Sequence, residues 1–119
     1  MFRSGHVDNF TRENLPPQDQ WPILDEMGYP ERLNAAIELI DKNLTAGRGE
    51  RVALVGADGA LTYSELDLLV RQIAQYLQSQ GVEPGNRVLL RGPNNMSLVA
   101  IWLAVLRMGA VAVTTLHLQ

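Results

Sequence analysis

The sequence predicts an α/β fold, in which a small antiparallel hairpin accompanies a β-α-β parallel unit packed with helices. Two observations support this prediction. Short apolar stretches bounded by turn residues predict strands near residues 51–55, 87–90 and 110–115, and longer stretches with apolar residues at helical spacing separate them. With 46% hydrophobic residues, the chain of 119 residues can bury one globular core.

The first 29 residues predict an irregular arm, because the pairs Pro16-Pro17 and Trp21-Pro22 interrupt regular structure. We expect this arm to lie against the body of the domain, residues 30–119, with Trp21 holding it in place. The apolar residues available for that contact are Phe10, Leu15, Trp21, Ile23, Leu24 and Met27.

A first helix is predicted to begin at Pro30, which suits a first helical turn, and to stop at Gly47 and Gly49. Its buried face is formed by Leu33, Ala36, Ile37, Ile40 and Leu44. A hairpin follows, because the turn signal Asp58-Gly59 separates a strand at residues 51–55 from a return strand that begins at residue 61.

The second helix has the clearest signals. Thr62 and Glu65 stand at capping-box spacing, so each side chain is expected to bind a free amide at the helix start. Gly81 suits the left-handed residue that follows a helix. The apolar side of this helix comprises Leu66, Leu69, Val70, Ile73, Ala74 and Leu77.

The last part of the chain predicts a parallel unit. After a turn at residues 82–86 and a strand at 87–90, a third helix at 96–108 is expected to be capped by Asn94 or Asn95. Because this helix is apolar nearly all round, we expect it to be buried on more than one side, with Trp102 in the core. Gly109 ends it, and the connection to the strand at 110–115 is expected to be right-handed.

Two parallel strands normally lie within a larger sheet that is covered on both faces. We therefore expect the missing neighbours to come from a downstream part of the same protein or from a second copy of the chain, which would make it a homo-oligomer.

Composition excludes several classes of protein. The formal net charge is −3 and Lys42 is the single lysine, so no basic surface is predicted for nucleic acid or for a membrane. Without cysteine there is no disulfide, thiol nucleophile or cysteine-bound zinc. The longest apolar run, residues 98–106, is too short to cross a bilayer, and the first residues lack a secretory signal. We expect a cytoplasmic protein.

The sequence predicts no catalytic, cofactor-binding or metal-binding residue. His6 and His117 have no second ligand at metal spacing, which favours solvated or packed histidines. Lys42 is expected to interact with the helix dipole and water. The acidic residues without a paired partner are expected on the solvated surface: Asp8, Glu13, Asp25 and Glu26.

The best-placed position for a ligand is the loop from Arg91 to Asn95, because open α/β sheets bind ligands at the carboxyl ends of their strands. A loop that only caps the third helix explains the same residues.

Four stretches, in order, resemble the opening section of the adenylate-forming superfamily, which includes acyl-CoA synthetases, luciferases and peptide-synthetase adenylation domains. Residues 61–66 (LTYSEL) resemble its first core motif and residues 106–113 (LRMGAVAV) resemble its second. Between them, residues 81–88 (GVEPGNRV) are similar to the family's turn into a strand, and Asn94 stands where an asparagine is typical. The resemblance implies that residues 30–119 form part of the family's N-terminal subdomain.

The arm carries a narrower resemblance. Residues 6–10 (HVDNF), 14–17 (NLPP) and 29–34 (YPERLN) are similar to the start of benzoate and 2-aminobenzoate CoA ligases. This resemblance implies a parent enzyme that uses ATP and Mg²⁺ to convert an aromatic carboxylate into an acyl-adenylate. The acyl group then passes to CoA, with release of AMP and pyrophosphate.

The family's phosphate loop, ribose-binding aspartate and catalytic lysine have no counterpart in this sequence. The glycine stretches 47–49 and 56–59 lack P-loop spacing and predict turns. Where the family commonly has a proline after the second motif, residues 114–119 are TTLHLQ, which fits ordinary variation, truncation or a shifted reading frame.

These features favour a ligase segment that serves as scaffold without catalysis of its own. The first alternative is a stand-alone module that binds an acyl, CoA or nucleotide group near Arg91 and Thr115. The second is an interaction protein that completes its sheet with another chain.

Overall fold

The computed structural model of the chain describes residues 9–21 and 25–115, apart from the side chains of Arg12 and Asp25. Within these ranges the helices are α1 Phe10–Glu13, α2 Lys42–Thr45, α3 Tyr63–Ser79 and α4 Met96–Arg107, and the strands are β1 Val52–Gly56, β2 Gly59–Thr62, β3 Arg87–Leu90 and β4 Val111–Thr114. Single 3-10 turns occur at Gln18–Gln20 and Asp25–Met27, and a π-helical turn, Ile37–Asp41, precedes α2. The predictions for His6, Asp8, Ile23, Leu24, His117 and the side chain of Asp25 lie outside the described residues.

The described part of the arm contains short helical turns where the sequence predicts an irregular segment. Two of its side-chain hydrogen bonds are local: the Asn14 side-chain amide donates to the Phe10 carbonyl at 2.7 Å, and the Trp21 indole donates to the Pro16 carbonyl at 2.8 Å. The arm also touches the body, because the Arg87 guanidinium carbon lies 4.5 Å from the centre of the Phe10 ring. Phe10 therefore makes a contact with the start of β3.

The first helical segment of the body spans residues 35–45 and does not begin at Pro30, so that prediction is wrong. The Asn34 side-chain oxygen accepts hydrogen bonds from the amides of Ala36 at 3.0 Å and Ile37 at 3.4 Å. Because this cap fixes the helix start at Asn34, the residues before it stay outside the helix. Leu33, predicted on the buried face, is 47% exposed.

The predicted hairpin and second helix are confirmed. β1 and β2 pair antiparallel, with Val55 opposite Ala60. The Glu65 amide donates to the Thr62 hydroxyl at 3.2 Å, and the Thr62 amide donates to the Glu65 carboxylate at 2.8 Å, so both halves of the capping box are present. Gly81 follows α3 with a φ of 88°, the left-handed conformation that glycine adopts without strain.

The predicted parallel unit is also confirmed. β3 and β4 pair parallel, in a register that runs from Arg87 opposite Val111 to Leu90 opposite Thr114, and α4 connects them. Gly109 follows the end of α4 with a φ of 80°. The described residues thus contain two separate two-stranded sheets, one antiparallel and one parallel.

Helix α4 is buried on two sides, as its apolar sequence predicts. One cluster joins it to residues 35–45 and α3 through Ala36, Ile40, Leu66, Val70, Ala74, Ala100, Leu103 and Ala104. A second cluster joins it to the parallel strands through Leu90, Val105, Met108 and Ala110. Since full burial of one aliphatic side chain contributes about 1.5–3 kcal/mol, these clusters are the main source of stability.

The parallel sheet has one covered and one open face. Val88 and Leu90 pack in the second cluster, whereas Leu89 is 67% exposed and its partner across the strands, Val113, is 41% exposed. Side chains alternate along a strand, so both exposed residues lie on the face opposite α4. The expectation of a further covering partner rests on this open apolar face.

Candidate functional site at the carboxyl end of the parallel strands

The structure brings Arg91 and Thr115 to one edge, which we call the strand-end edge. Arg91 follows β3 and Thr115 follows β4, and parallel strands end on the same side of a sheet. The Thr115 amide donates to the Leu90 carbonyl at 3.0 Å, which extends the ladder beyond β4. Both Arg91 and Thr115 are exposed. The prediction that these two residues lie at the same end of the parallel strands is therefore correct.

An apolar cavity of about 220 Å³ opens beside this edge. Its walls come from β3, the first half of α4 and the end of β4: Leu90, Leu98, Val99, Trp102 and Thr114. The Thr114 hydroxyl and the Trp102 indole N–H are the polar side-chain groups among these lining residues. Such a cavity can accept an apolar ring or an apolar side chain.

The prediction that Trp102 lies in the core is wrong, because its side chain is 36% exposed. Leu103 and Ala104 face one core cluster and Val105 faces the other, which leaves Trp102 on a remaining side of α4. The apolar sequence of α4 does not distinguish these sides, since nearly every position in it is apolar. Trp102 is thus a wall of the cavity that the sequence did not identify.

The loop after β3 caps α4. The Asn95 side-chain oxygen accepts a hydrogen bond from the Leu98 amide at 2.9 Å, which decides between the two predicted capping residues. A second cavity of about 230 Å³ lies between this loop and the hairpin, bounded by Gly56, Asp58, Asn94 and Met96 among others. Gly56 packs closely there, since a Cβ at this position would lie 3.0 Å from the Met96 side chain. The hydrogen bond from Leu98 to Asn95 directly supports the interpretation that this loop caps α4.

A polar cluster at the other end of α4 was missed by the sequence analysis. Arg107 makes two hydrogen bonds to Asp41, from Nη1 to Oδ1 at 2.9 Å and from Nη2 to Oδ2 at 3.1 Å. Its Nη1 also lies 3.5 Å from Oδ1 of Asp67, a buried oxygen that makes no hydrogen bond. These residues come from three distant parts of the chain, so no local sequence pattern predicts that they form a cluster. Arg107 itself stands inside the stretch 106–113 that resembles a family motif.

Arg71 completes this polar cluster. Its Nε donates to Oδ2 of Asp67 at 2.8 Å, one helical turn earlier on α3. This hydrogen bond raises the pKa of the Arg71 guanidinium, and burial opposes the increase. A cavity of about 410 Å³ adjoins the cluster, with Arg71, Gln75 and Gln78 of α3 on one wall. The charges within the cluster neutralise each other, which is typical of an internal tether between helices.

The remaining candidates lie on the surface. Lys42 forms an ion pair with the Glu38 carboxylate one helical turn earlier, so it has a charged partner besides the helix dipole. Glu13 and Glu26 are exposed, as predicted. Within residues 9–21 and 25–115, no group of three histidine, aspartate or glutamate side chains is arranged to hold a metal ion. In the same ranges no helix has the length and apolar character needed to cross a bilayer.

The glycine stretches are turns, as predicted. Gly47 has a φ of 75° and follows α2, and Gly59 has a φ of 126° at the tip of the hairpin. Neither stretch leads into a helix through a lysine, as a phosphate-binding loop does.

Comparison with known proteins assigns the family. The sequence pattern of the AMP-binding enzymes matches residues 40–118. The chain belongs to this family. The resemblance seen in the core motifs is thereby confirmed, and with it the α/β fold of the N-terminal subdomains of adenylate-forming enzymes.

Several AMP-binding enzymes are similar to this chain. The 3-hydroxybenzoate–CoA/4-hydroxybenzoate–CoA ligase of Thauera aromatica is 41% identical over 89 residues, 75% of this chain and 17% of that protein. The chloroplastic/glyoxysomal acetyl-coenzyme A synthetase of Arabidopsis thaliana is 40% identical over 110 residues, 87% of this chain and 15% of that protein. The crystal structure of the anthranilate CoA ligase AuaEII in complex with anthranoyl-AMP matches 75% of this chain and 17% of that chain, with a TM-score of 0.67 and 25% identity. This chain thus spans 15–17% of the length of these relatives.

Proposed function

We propose that this chain is the N-terminal scaffold segment of an AMP-forming acid–CoA ligase that activates an aromatic carboxylate of the benzoate or 2-aminobenzoate type. The whole enzyme would use ATP and Mg²⁺ to form an acyl-adenylate, pass the acyl group to CoA, and release AMP and pyrophosphate in the cytoplasm. The aromatic substrate is supported by the similarity to a hydroxybenzoate CoA ligase and to an anthranilate CoA ligase. The resemblance of the arm to benzoate and 2-aminobenzoate CoA ligases supports it as well.

One observation carries the scaffold role: the two stretches that resemble family motifs perform structural tasks. In residues 61–66, Thr62 and Glu65 bind the first amides of α3. In residues 106–113, Gly109 ends α4 and the following residues enter the parallel sheet. These groups are engaged in holding the fold, so they are not available to a substrate.

The described residues do not fit a nucleotide site. Their glycine stretches form turns, and the polar cluster around Arg107 is internally neutral. Bound triphosphate needs a loop of free amides with a cation beside it. We therefore assign ATP, Mg²⁺ and CoA to other parts of the ligase.

The partner that we propose for the open sheet face is the downstream part of the same ligase. Leu89 and Val113 present an apolar surface there, and parallel sheets are normally covered on both faces. In this proposal residues 1–29 are an arm and residues 30–119 are part of a larger subdomain. A second copy of the chain is the alternative partner, and light scattering of the isolated chain separates the two. A discrete dimer would favour the second copy, and a well-folded monomer would contradict the need for any partner.

A chimera tests the scaffold role. The matched segment of the Thauera aromatica ligase is replaced by this chain, and ATP–pyrophosphate exchange is measured with the host's hydroxybenzoates. We expect exchange from the chimera and none from the isolated chain with benzoate. Exchange by the isolated chain would show that it is itself catalytic. A folded chimera that binds its substrates but forms no adenylate would also contradict the proposal.

The aromatic substrate needs a separate test. In a longer protein that carries this segment, benzoate and 2-aminobenzoate should support exchange better than acetate. A preference for acetate would place the enzyme with the acetyl-coenzyme A synthetases and would leave the scaffold role intact.

A second candidate function is ligand binding at the strand-end edge. The observation that favours it is the apolar cavity beside Trp102 and Thr114, with Arg91 exposed at the same edge. Calorimetry of the isolated chain with benzoate, ATP and CoA at millimolar concentration tests this function. Heat of binding that disappears in Trp102→Ala would support it, and heat equal to that of dilution would exclude it.

A further inference from the structure

The C-terminal end of α4 receives hydrogen bonds from a distant residue. The last four carbonyls of a helix lack partners within the helix itself. Those of residues 104–106 accept from the backbone amides of residues 108–110 at 3.0–3.1 Å. The Asn34 side-chain amide donates to the carbonyls of Leu106 at 3.0 Å and Arg107 at 3.3 Å. Asn34 thereby completes the hydrogen bonding of this helix end.

The same Asn34 side chain also starts its own helix. Its oxygen accepts from the amides of residues 36 and 37, while its nitrogen donates to α4. An amide can do both through separate atoms, because its oxygen accepts and its nitrogen donates, whereas a carboxylate only accepts and an ammonium only donates. One side chain therefore joins the start of residues 35–45 to the end of α4.

A second contact from the same segment reaches the same residue of α4. Asp41 binds the Arg107 guanidinium through both carboxylate oxygens, and the Arg107 side chain is 14% exposed. Asp41 belongs to the π-helical turn Ile37–Asp41, in which Ile40 is fully buried. Apolar contact and ion pairing thus fix the turn against α3 and α4 together.

Arg107 stands directly before the junction between α4 and β4. In that junction the Gly85 amide donates to the Gly109 carbonyl at 2.9 Å, and the Val111 amide donates to the Asn86 carbonyl at 2.8 Å. These bonds begin the pairing of β4 with β3. The position of the helix end consequently decides where β4 starts.

We infer that residues 34–41 act as a clasp that positions the α4–β4 junction and keeps the edge of β4 ordered. Asn34 and Arg107 are positioning residues in this device. The inference stands independently of the proposed ligase function, since it concerns contacts within the chain. Asn34 lies upstream of residues 40–118, which match the family pattern, so the clasp extends the folded unit beyond the matched stretch.

Hydrogen exchange of the 119-residue chain, followed by NMR, tests the clasp. The variant Asn34→Asp keeps the oxygen that starts the helix but places a negative charge against two carbonyls at the negative end of α4. The reporters are the Val111 amide at the start of β4 and the Thr115 amide directly after β4. The reference is the Tyr63 amide, which donates to the Arg51 carbonyl at the base of the hairpin. We expect exchange at the reporters to accelerate about tenfold relative to the reference.

Asn43→Asp is the matched control. It makes the same chemical change in the same helical segment, but among the described residues the hydrogen-bond partners of the Asn43 side chain are Leu39 and Arg48. The ratio of reporter to reference exchange should stay unchanged in this variant.

Equal acceleration of reporters and reference in Asn34→Asp would mean general destabilisation and would overturn the clasp. Rapid hydrogen exchange of the β4 amides in the unaltered chain would overturn it too. If Asn34→Asp fails to fold, Arg107→Lys replaces it, because lysine keeps the charge and loses the paired hydrogen bonds. An unchanged exchange ratio in Arg107→Lys would likewise overturn the inference.

Discussion

The two ends of helix α4 obtain their side-chain contacts from opposite sources, one from nearby residues and one from distant residues. At its start, Asn95 binds the Leu98 amide three residues along the chain. At its end, Asn34 reaches the Leu106 carbonyl across 72 residues, and Asp41 reaches Arg107 across 66. The start is therefore a local structure that the sequence can specify alone, whereas the side-chain contacts at the end form only when the first helical segment has docked. Mutations at the two ends should therefore differ in how much they lower the free energy of unfolding and in how far from the mutated residue their effect extends.

The largest effect is expected at Arg107. Arg107→Ala should lower the free energy of unfolding by about 3 kcal/mol, because it removes both hydrogen bonds to Asp41 and the cation beside the buried Oδ1 of Asp67. Urea denaturation measures this loss, and Arg107→Lys is the control that restores part of it. A loss below about 1 kcal/mol would show that the cluster is solvated and contributes like a surface pair.

Asn34→Ala should come next, with a loss of about 2 kcal/mol, because it removes one helix start and one helix end together. The same denaturation experiment measures it. A loss no larger than that of Asn95→Ala would show that the bonds to Leu106 and Arg107 contribute nothing.

Asn95→Ala should cost about 1 kcal/mol, the usual effect of losing one capping side chain. Asn94→Ala is the matched control and should be nearly neutral, since the cap belongs to Asn95. Asn95→Asp should retain the cap. Equal losses in the two alanine variants would contradict the assignment of the cap.

The smallest effect is expected at Lys42. Its side chain is 65% exposed and its ion pair with Glu38 stays within one helical segment, so Lys42→Ala should cost less than about 0.5 kcal/mol. A double-mutant cycle with Glu38→Ala measures the pair itself. A coupling above about 1 kcal/mol would place this surface pair in the class of the Arg107 contacts.

Sequence reasoning succeeded where short-range chemistry decides the outcome. The capping box of Thr62 and Glu65, the turn at Gly59 and the stop at Gly109 each depend on neighbours a few residues away. It failed at Pro30, because a proline permits a helix start and does not compel one. The helix starts after Asn34 instead, because the Asn34 side chain makes hydrogen bonds with the start of this helix and with the end of α4.

The strand-end edge was predicted in part. Arg91 and Thr115 were placed together because parallel strands end on the same side. Trp102 was assigned to the core, since a helix that is apolar all round gives no sign of which side stays open. The cavity that Trp102 lines was therefore found only in the structure.

By itself the sequence determined the order of the elements after residue 50, the capping box of α3, the parallel unit and the resemblance to the AMP-binding enzymes. These properties follow from residue spacing and local hydrogen bonding, which act along the chain. The tertiary structure alone decided the side-chain contacts at the end of α4, the ion pairs of Arg107 and the exposed side of α4 that carries Trp102. The contacts of Asn34 and Asp41 with the end of α4 join groups more than 60 residues apart, and only the packing of three helical segments brings such groups within hydrogen-bonding distance.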